Sequence, residues 1–369
     1  MAASYSELNP QSVLRDALLD PLPEITAMGL AYQEIFKVPA LLEGGVARGR
    51  SIDCSGDPGI LHGKLLVRNA RDILSAAEGK TGIDIGSDRD ASEQYAPESK
   101  SFTMKAYSGL AEKPMFEMTH GFTMSSEEEK MLVQRAASSC HIKLEKSTAG
   151  FFTNVDNEAT GGIAAAGWDK INWQDGNVGG SALSNSDNFM DVMHALIAAQ
   201  RLRGASPVNA CYMGRGVAEK LCRESSILGR IVVSSGSGDE NALSAFQGQR
   251  VVPVSFLQAV FRDHFGIEEL VIGSLPENKD VAGTRGNHYV WSSDRLWIGT
   301  AGSLDMAVRG GQARVLSGAG AFCNLIGKVE VAVGPNEITA PTKMKAVAEV
   351  FSAPVCVDAS KGAVITNLG

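Results

Sequence analysis

The most regular pattern of buried and exposed positions begins at Ser125 and Ser126, where Val133, Ala137, Cys140 and Leu144 recur at intervals of 4, 3 and 4. That spacing predicts a helix with one apolar stripe. Either serine can cap its first turn while Glu128 or Glu129 completes a capping box, and the acidic run Glu127, Glu128, Glu129 lies on the positive end of the helix dipole. If the helix ends near Thr148, it is about 35 Å long at 1.5 Å per residue. Lys130, Gln134, Arg135, Lys143 and Glu145 fall off the stripe and are expected against solvent or another protein.

The chain before this helix reads differently. Residues 1–60 hold short apolar pieces, LRDALLD and ITAMGLAYQEIF, broken by Pro21, Pro23 and Pro39, and suit an arm that packs on something else. From 61 to 117, strand-like pieces (KLLVRNARDI, SFTMKAYS, KPMFEMT) flank the polar stretch EGKTGIDIGSDRDASEQYAPESK. Such a stretch cannot bury enough apolar surface for a core, so an extended two-stranded excursion is expected, its tip near Gly82 to Glu98.

After the helix, residues 150–186, around WDKINW, read as a Gly-, Asn- and Ser-rich connector. An α/β region follows. Its pieces are helix SDNFMDVMHALIAAQRL with Phe189, Met193, Leu196 and Ile197 as apolar positions, strand PVNACYM, helix GVAEKLCRES, strand QRVVPV, helix SFLQAVFRDHF stopped by Gly266, and strand EELVIGS. HYVWSSDRLWIG and KVEVAV are further strand candidates, and the C-terminal pieces KAVAEVFSAPVCVD and GAVITN alternate like sheet. The fold class is α+β.

Composition narrows the function. Glycine, 40 of 369 residues, exceeds the usual share of about 7%. Many positions therefore turn sharply or flex. With 34 Lys and Arg against 42 Asp and Glu, the net charge of −8 argues against coating nucleic acid by bulk attraction. Cys54, Cys140, Cys211, Cys222, Cys323 and Cys356 are scattered, which suggests reduced thiols in a cytoplasmic setting and neither a zinc site nor a disulfide framework. No signal peptide or membrane span is visible, so a soluble chain is expected.

Candidate chemistry fails residue by residue. Gly79-Lys80-Thr81 ends like a phosphate-binding loop, but Leu74 stands where the first glycine belongs; GILHGK at 59–64 is one residue short. GAGAFC at 318–323 has Cys323 where a dinucleotide fingerprint needs a third glycine. His62, His120, His141, His194, His264 and His288 form no ligand pair, and Gly236-Ser237-Gly238 lacks the strand of a nucleophile elbow. No catalytic, cofactor-binding or metal residues are assigned, and no enzyme activity is expected.

The order of pieces, together with AYQEIFKVPALLEGGVARGRSID at 31–53, MTHGFTMSSEEEKMLVQRAASSCHIKLEKSTAGFF at 118–152, the W-D-x-I-x-W pattern at 168–173, ALIAAQRLRGASPVNACYMGRGVAEKLCRESSILGRI, FLQAVFRDHFGIEELVIGS and YVWSSDRLWIGTA, resembles the tailed-bacteriophage major capsid proteins of the Hong Kong 97 fold. The resemblance implies an N-terminal arm at 1–60, an extended loop at 61–117, a peripheral domain with a long spine helix at 118–175 and 334–369, and an axial domain at 176–333. It also implies a virion shell protein that assembles with copies of itself as pentamers and hexamers in the host cytoplasm, encloses double-stranded DNA without reading its sequence, and meets a portal protein and decoration proteins. No long, charged coiled-coil segment is seen in the arm, so a separate scaffolding protein, or none, is expected. The prototype joins a loop lysine to a peripheral-domain asparagine; Lys80, Lys100, Lys105 and Lys113 with Asn336 and Asn367 supply the atoms, but no spacing places an amine beside a buried carboxylate, and noncovalent contacts are expected. An encapsulin compartment, or an α/β enzyme or ligand-binding protein with a cleft in 176–333, are the alternatives.

Overall fold

One long helix ties two sheets together. The computed structural model describes residues 51–53, 62–67, 98–114, 126–154, 166–173, 189–204, 206–224, 227, 254–278, 287–302, 304–309, 312–318, 320–336 and 343–368. Helix α1 (Ser126–Thr153) has 28 residues and is about 42 Å long. It continues five residues past the expected end, because Ala149, Phe151 and Phe152 extend its buried face into a second core.

The first sheet has the order β1 (Ser51–Asp53), β13 (Phe322–Asn336), β14 (Lys343–Cys356), β4 (Lys105–Pro114). β13 and β14 pair antiparallel along their length with a bulge between Ile326 and Val329, and β1 joins β13 in parallel. On β14, Ala346, Ala348 and Val350 face α1, where they meet Leu132, Val133, Ala136, Ala137 and Cys140. The alternation of β14 is thus the half-buried pattern of a sheet with one covered face. The small side chains bring helix and sheet close. At Gly109 on β4, a Cβ would lie 1.8 Å from the carbonyl oxygen of Ala136.

The second sheet has the order β5 (Asp169–Asn172), β15 (Gly362–Thr366), β10 (Leu296–Gly299), β6 (Ala210–Gly214), β7 (Glu269–Gly273). Its central strands are buried on both faces, and alternate residues serve different cores. Cys211, Met213, Leu296, Ile298, Ala363 and Ile365 pack under helices α2 (Phe189–Gly204), α3 (Arg215–Leu221) and α4 (Val254–Phe265). Tyr212, Trp297 and Val364 point the other way, into an aromatic cluster with Phe151, Phe152, Trp168, Trp291 and Phe322. Phe152 is its centre, 4.8 Å from the Tyr212 ring, 5.0 Å from Trp297 and 4.9 Å from Phe322. Edge-to-face geometry of this kind adds to the burial of each ring.

A third sheet joins β11 (Leu304–Arg309), β12 (Gln312–Gly318), β2 (His62–Val67) and β3 (Glu98–Thr103). β2 and β3 are antiparallel, as the two-stranded excursion requires, and β12 adds to β2 in parallel. The short strands β8 (Pro276–Asn278) and β9 (Asn287–Tyr289) form a separate pair.

Several local expectations change. WDKINW is not a plain connector: β5 lies within it, and Trp168 and Trp173 are buried in the two cores flanking the second sheet. HYVWSSDRLWIG is two strands, β9 and β10, separated by a turn where Ser292 and Asp294 hydrogen-bond each other. Val254, expected to end a strand, begins α4, while residues 249–253 lie outside the described residues. The arm except for β1, the loop tip at 82–97, and His120 also lie outside them.

Candidate assembly surface

α1 buries one face and leaves another open. Turn by turn, Met131, Ser138 and Ile142 line up along the open face, with Arg135, Ser139, Lys143 and Lys146 beside them. Together with Gln134 and with Glu277 from β8, they line a groove of about 650 Å³. Met131 is 53% exposed. Lys146 ion-pairs with Glu277, and Lys143 donates from Nζ to the carbonyl of Ser108 at 2.5 Å. The groove therefore has Met131 and Ile142 on either side of Ser138 along its floor, and basic side chains along one bank.

Glu145, expected on the polar side of the helix, is 1% exposed. Its carboxylate accepts the indole N–H of Trp291. Trp291 in turn covers Gly273, where a Cβ would stand 2.1 Å from its ring. Consecutive α1 residues thus hold the β7–β9 region twice, Glu145 from within and Lys146 at the surface. Nearby, Arg295 donates to the carbonyl of Thr153 at 3.2 Å, and Trp168 donates to that of Phe151 at 2.9 Å. A sequence reading that assigns charge to solvent has no signal for Glu145, since its partner is 146 residues away.

Burial shifts four titratable groups here toward their neutral forms. Burial pushes the Cys140 thiol up to about 11, and its Sγ donates to the Tyr107 carbonyl at 3.0 Å. Burial also raises the Cys211 thiol and the Tyr107 phenol, the latter bonded to Ser147 Oγ at 2.5 Å. It lowers His141. The five described cysteines are buried and none of them is joined in a disulfide.

Of the lysines and asparagines considered for cross-linking, Lys105 is exposed and Lys113 half-buried on β4, Lys100 is in β3 and Asn336 ends β13. Asn336 pairs with Lys343, which pairs with Pro114, so Lys113 and Asn336 share one end of the first sheet with β14 between them. Asn367 belongs to the second sheet's end and donates to Asn172 at 3.0 Å. Lys80 lies outside the described residues. By register, Lys100, Lys105 and Lys113 stand opposite residues other than these asparagines, and the lysine opposite Asn336 is Lys343 of β14.

Among the described residues, no group of three or more His, Cys, Asp or Glu could hold a metal ion, and no helix is long and apolar enough to cross a membrane. Large apolar side chains reach the surface instead: Leu110 on β4, Met131 on α1 and Leu202 on α2, the last 86% exposed.

No family model and no curated protein matches the chain. Solved structures do. A phage-related protein from Bordetella bronchiseptica RB50 is 12% identical with a TM-score of 0.54, over 94% of this chain and 97% of that one. A virus-like particle from Pyrococcus furiosus is 8% identical with a TM-score of 0.46, over 93% and 98%. The mature capsid of bacteriophage PhiM1 is 9% identical with a TM-score of 0.46, over 86% of each. The likeness to the Bordetella protein runs over nearly the whole of both chains, and the fold is a Hong Kong 97-like α+β fold.

Proposed function

We propose that this protein is the major capsid protein of a tailed phage, a subunit that assembles with its own copies into a closed icosahedral shell around double-stranded DNA. What supports the reading is the fold similarity over nearly the whole of both chains, with no large insertion left over to carry another activity. The physical character of the chain agrees. A thin wall gains stability from many contacts per subunit, and here apolar side chains such as Leu110, Met131 and Leu202 remain at the surface of a chain whose cores are already filled. A net charge of −8 suits a container that must not grip phosphate strongly.

On this reading the arm is 1–60, the extended loop 61–117, the peripheral domain 118–175 with 334–369, and the axial domain 176–333. β4, within the loop's span, pairs with β14 and belongs by its hydrogen bonds to the peripheral sheet. Pentamers and hexamers, a portal protein, a separate scaffolding protein, decoration proteins and assembly in the host cytoplasm are the partners and place the reading entails, and no catalysis is assigned. Electron microscopy of the protein purified after expression tests it: closed shells are expected, and discrete small oligomers under all assembly conditions would overturn it.

A further inference from the structure

The third sheet separates its charges by face. Register sets Arg309 opposite Gln312, Gln312 opposite Lys64 and Lys64 opposite Ser101, so one polar row crosses all four strands without an acid. Two residues along, Ala307, Arg314, Leu66 and Ser99 form the next row of that face. Both acids of these strands fall on the other face, where Glu98 is opposite Val67 and Asp305 opposite Ser317. Lys100 is there too, in a row with Val308, Ala313 and Leu65. Among the described strands of this sheet, one face thus carries Lys64, Arg309 and Arg314 and no acid, in a chain whose net charge is −8.

Burial at one end of the sheet tells the two faces apart. Phe102 belongs with the apolar rows and is 6% exposed, whereas Thr103, opposite His62 on the basic face, is exposed. The basic face is the open one there. Arg309 and Lys64 are two strand spacings apart, about 10 Å, and Arg314 is about 7 Å along the strand from Gln312 between them.

Such a face fits a polyanion. Lys, Arg, Gln and Ser are residues that contact phosphate and sugar. No Phe, Tyr or Trp stands on it, so it lacks the stacking platform that single strands use, and a duplex backbone is the better match. An acidic protein would be held by an apolar centre within a polar rim, and the row from Arg309 to Ser101 offers none. Along about 10 Å a duplex presents about six phosphate charges.

We propose that the face of Lys64, Arg309 and Arg314 touches the phosphate backbone of double-stranded DNA without regard to sequence. The choice of DNA as the polyanion rests on the reading of the chain as a shell around a genome; the charge of the face does not. Three contacts make a weak, salt-sensitive grip.

Binding of the unassembled full-length subunit to fluorescent short duplexes of two unrelated sequences tests it. Both should bind alike, and about fortyfold more weakly at about 200 mM salt than at about 50 mM, from a slope of about −2.7 for three phosphates. The triple variant Lys64→Gln, Arg309→Gln, Arg314→Gln should lose about tenfold or more of the low-salt affinity and most of the salt dependence. Lys64→Arg, Arg309→Lys, Arg314→Lys keeps the charge and should bind as the parent does, as should Lys100→Gln on the opposite face. No binding at the lower salt, an unchanged glutamine variant, or an equal loss in the charge-keeping variant would each overturn the proposal. Binding of poly-glutamate but not of duplex would make the partner an acidic protein, and the proposal would fail. Shells are read separately by microscopy: shells from a subunit that ignores duplex defeat this inference alone, and duplex binding without shells supports the face while defeating the shell reading.

Discussion

Glu145 and Trp291 join the spine of one sheet to the edge of another: the buried carboxylate accepts the indole N–H across 146 residues of chain. A charged acceptor without this donor would be costly to bury. Glu145→Gln keeps an acceptor and is expected to lose little, whereas Glu145→Leu leaves the indole unpaired and should cost about 1–3 kcal/mol. Trp291→Phe removes one donor from the buried carboxylate and should cost about 1–3 kcal/mol. Urea unfolding of the unassembled subunit gives the order; if Glu145→Leu proves as stable as the parent, the link is not holding the sheets together.

Gly109 sets the distance between α1 and the first sheet. A methyl group there meets backbone atoms of Ala136 and Cys140, which cannot swing aside. Gly109→Ala is expected to lose about 1–3 kcal/mol by overpacking. Gly266→Ala should lose about 1 kcal/mol for a different reason, since its φ of +68° is disfavoured for a residue with a Cβ. Thermal melts of both variants check the pair, and a neutral Gly109→Ala would mean that β4 is not pressed on the helix.

The stripe of α1 divides into residues that must be apolar and one that need not be. Val133 and Leu144 are buried in different cores, so Val133→Asp or Leu144→Asp should prevent folding, by several kcal/mol each. Met131→Asp on the open face should leave the subunit folded. Circular dichroism and solubility separate these outcomes, and folded Leu144→Asp protein would remove that residue from the core.

How much of this was legible beforehand depends on the range of the signal. The α1 stripe, the apolar positions of α2 and the stop at Gly266 are local patterns, and each appears where the periodicity puts it. β5 was missed because WDKINW is short and flanked by glycine, and its strand exists only through pairing with β15, near the far end of the chain. β11 and β12 were passed over although Gly310-Gly311 between them is a hairpin signal, since the bordering residues alternate weakly. Charge alone puts Glu145 against solvent or another protein, and only the tertiary position of Trp291 shows that it is buried. The groove on α1 is visible in sequence as a list of polar residues, and its shape needs β8 beside the helix.

Cys140 links stability to alkaline pH. Its thiol is raised by burial to about 11, so between about pH 9 and 11 the unfolded chain ionises this group while the folded one keeps its proton. The unfolded state then binds fewer protons, and stability falls as pH rises through that window, by on the order of 2 kcal/mol in total. Below pH 9 the contribution is fully present. Cys140→Val should flatten the urea midpoint between pH 9 and 11 relative to the parent; an equal slope in both proteins would show that Cys140 is not the group responsible.

Covalent closure of the shell needs an amine made neutral beside a carboxylate and set against an asparagine amide. Lys343 stands opposite Asn336 on β14, whereas the loop lysine Lys113 has β14 between its strand and that of Asn336, a separation of about 10 Å from two strand spacings. Asn367 is already engaged with Asn172 at the other sheet. A bond between neighbouring subunits would therefore have to bring its own buried carboxylate. We expect shells held by noncovalent contacts alone. Boiling purified shells in detergent should give one band near 38.9 kDa. A ladder of multimers that survives boiling and reducing agent would prove this wrong, and mapping the linked peptides would then identify the lysine.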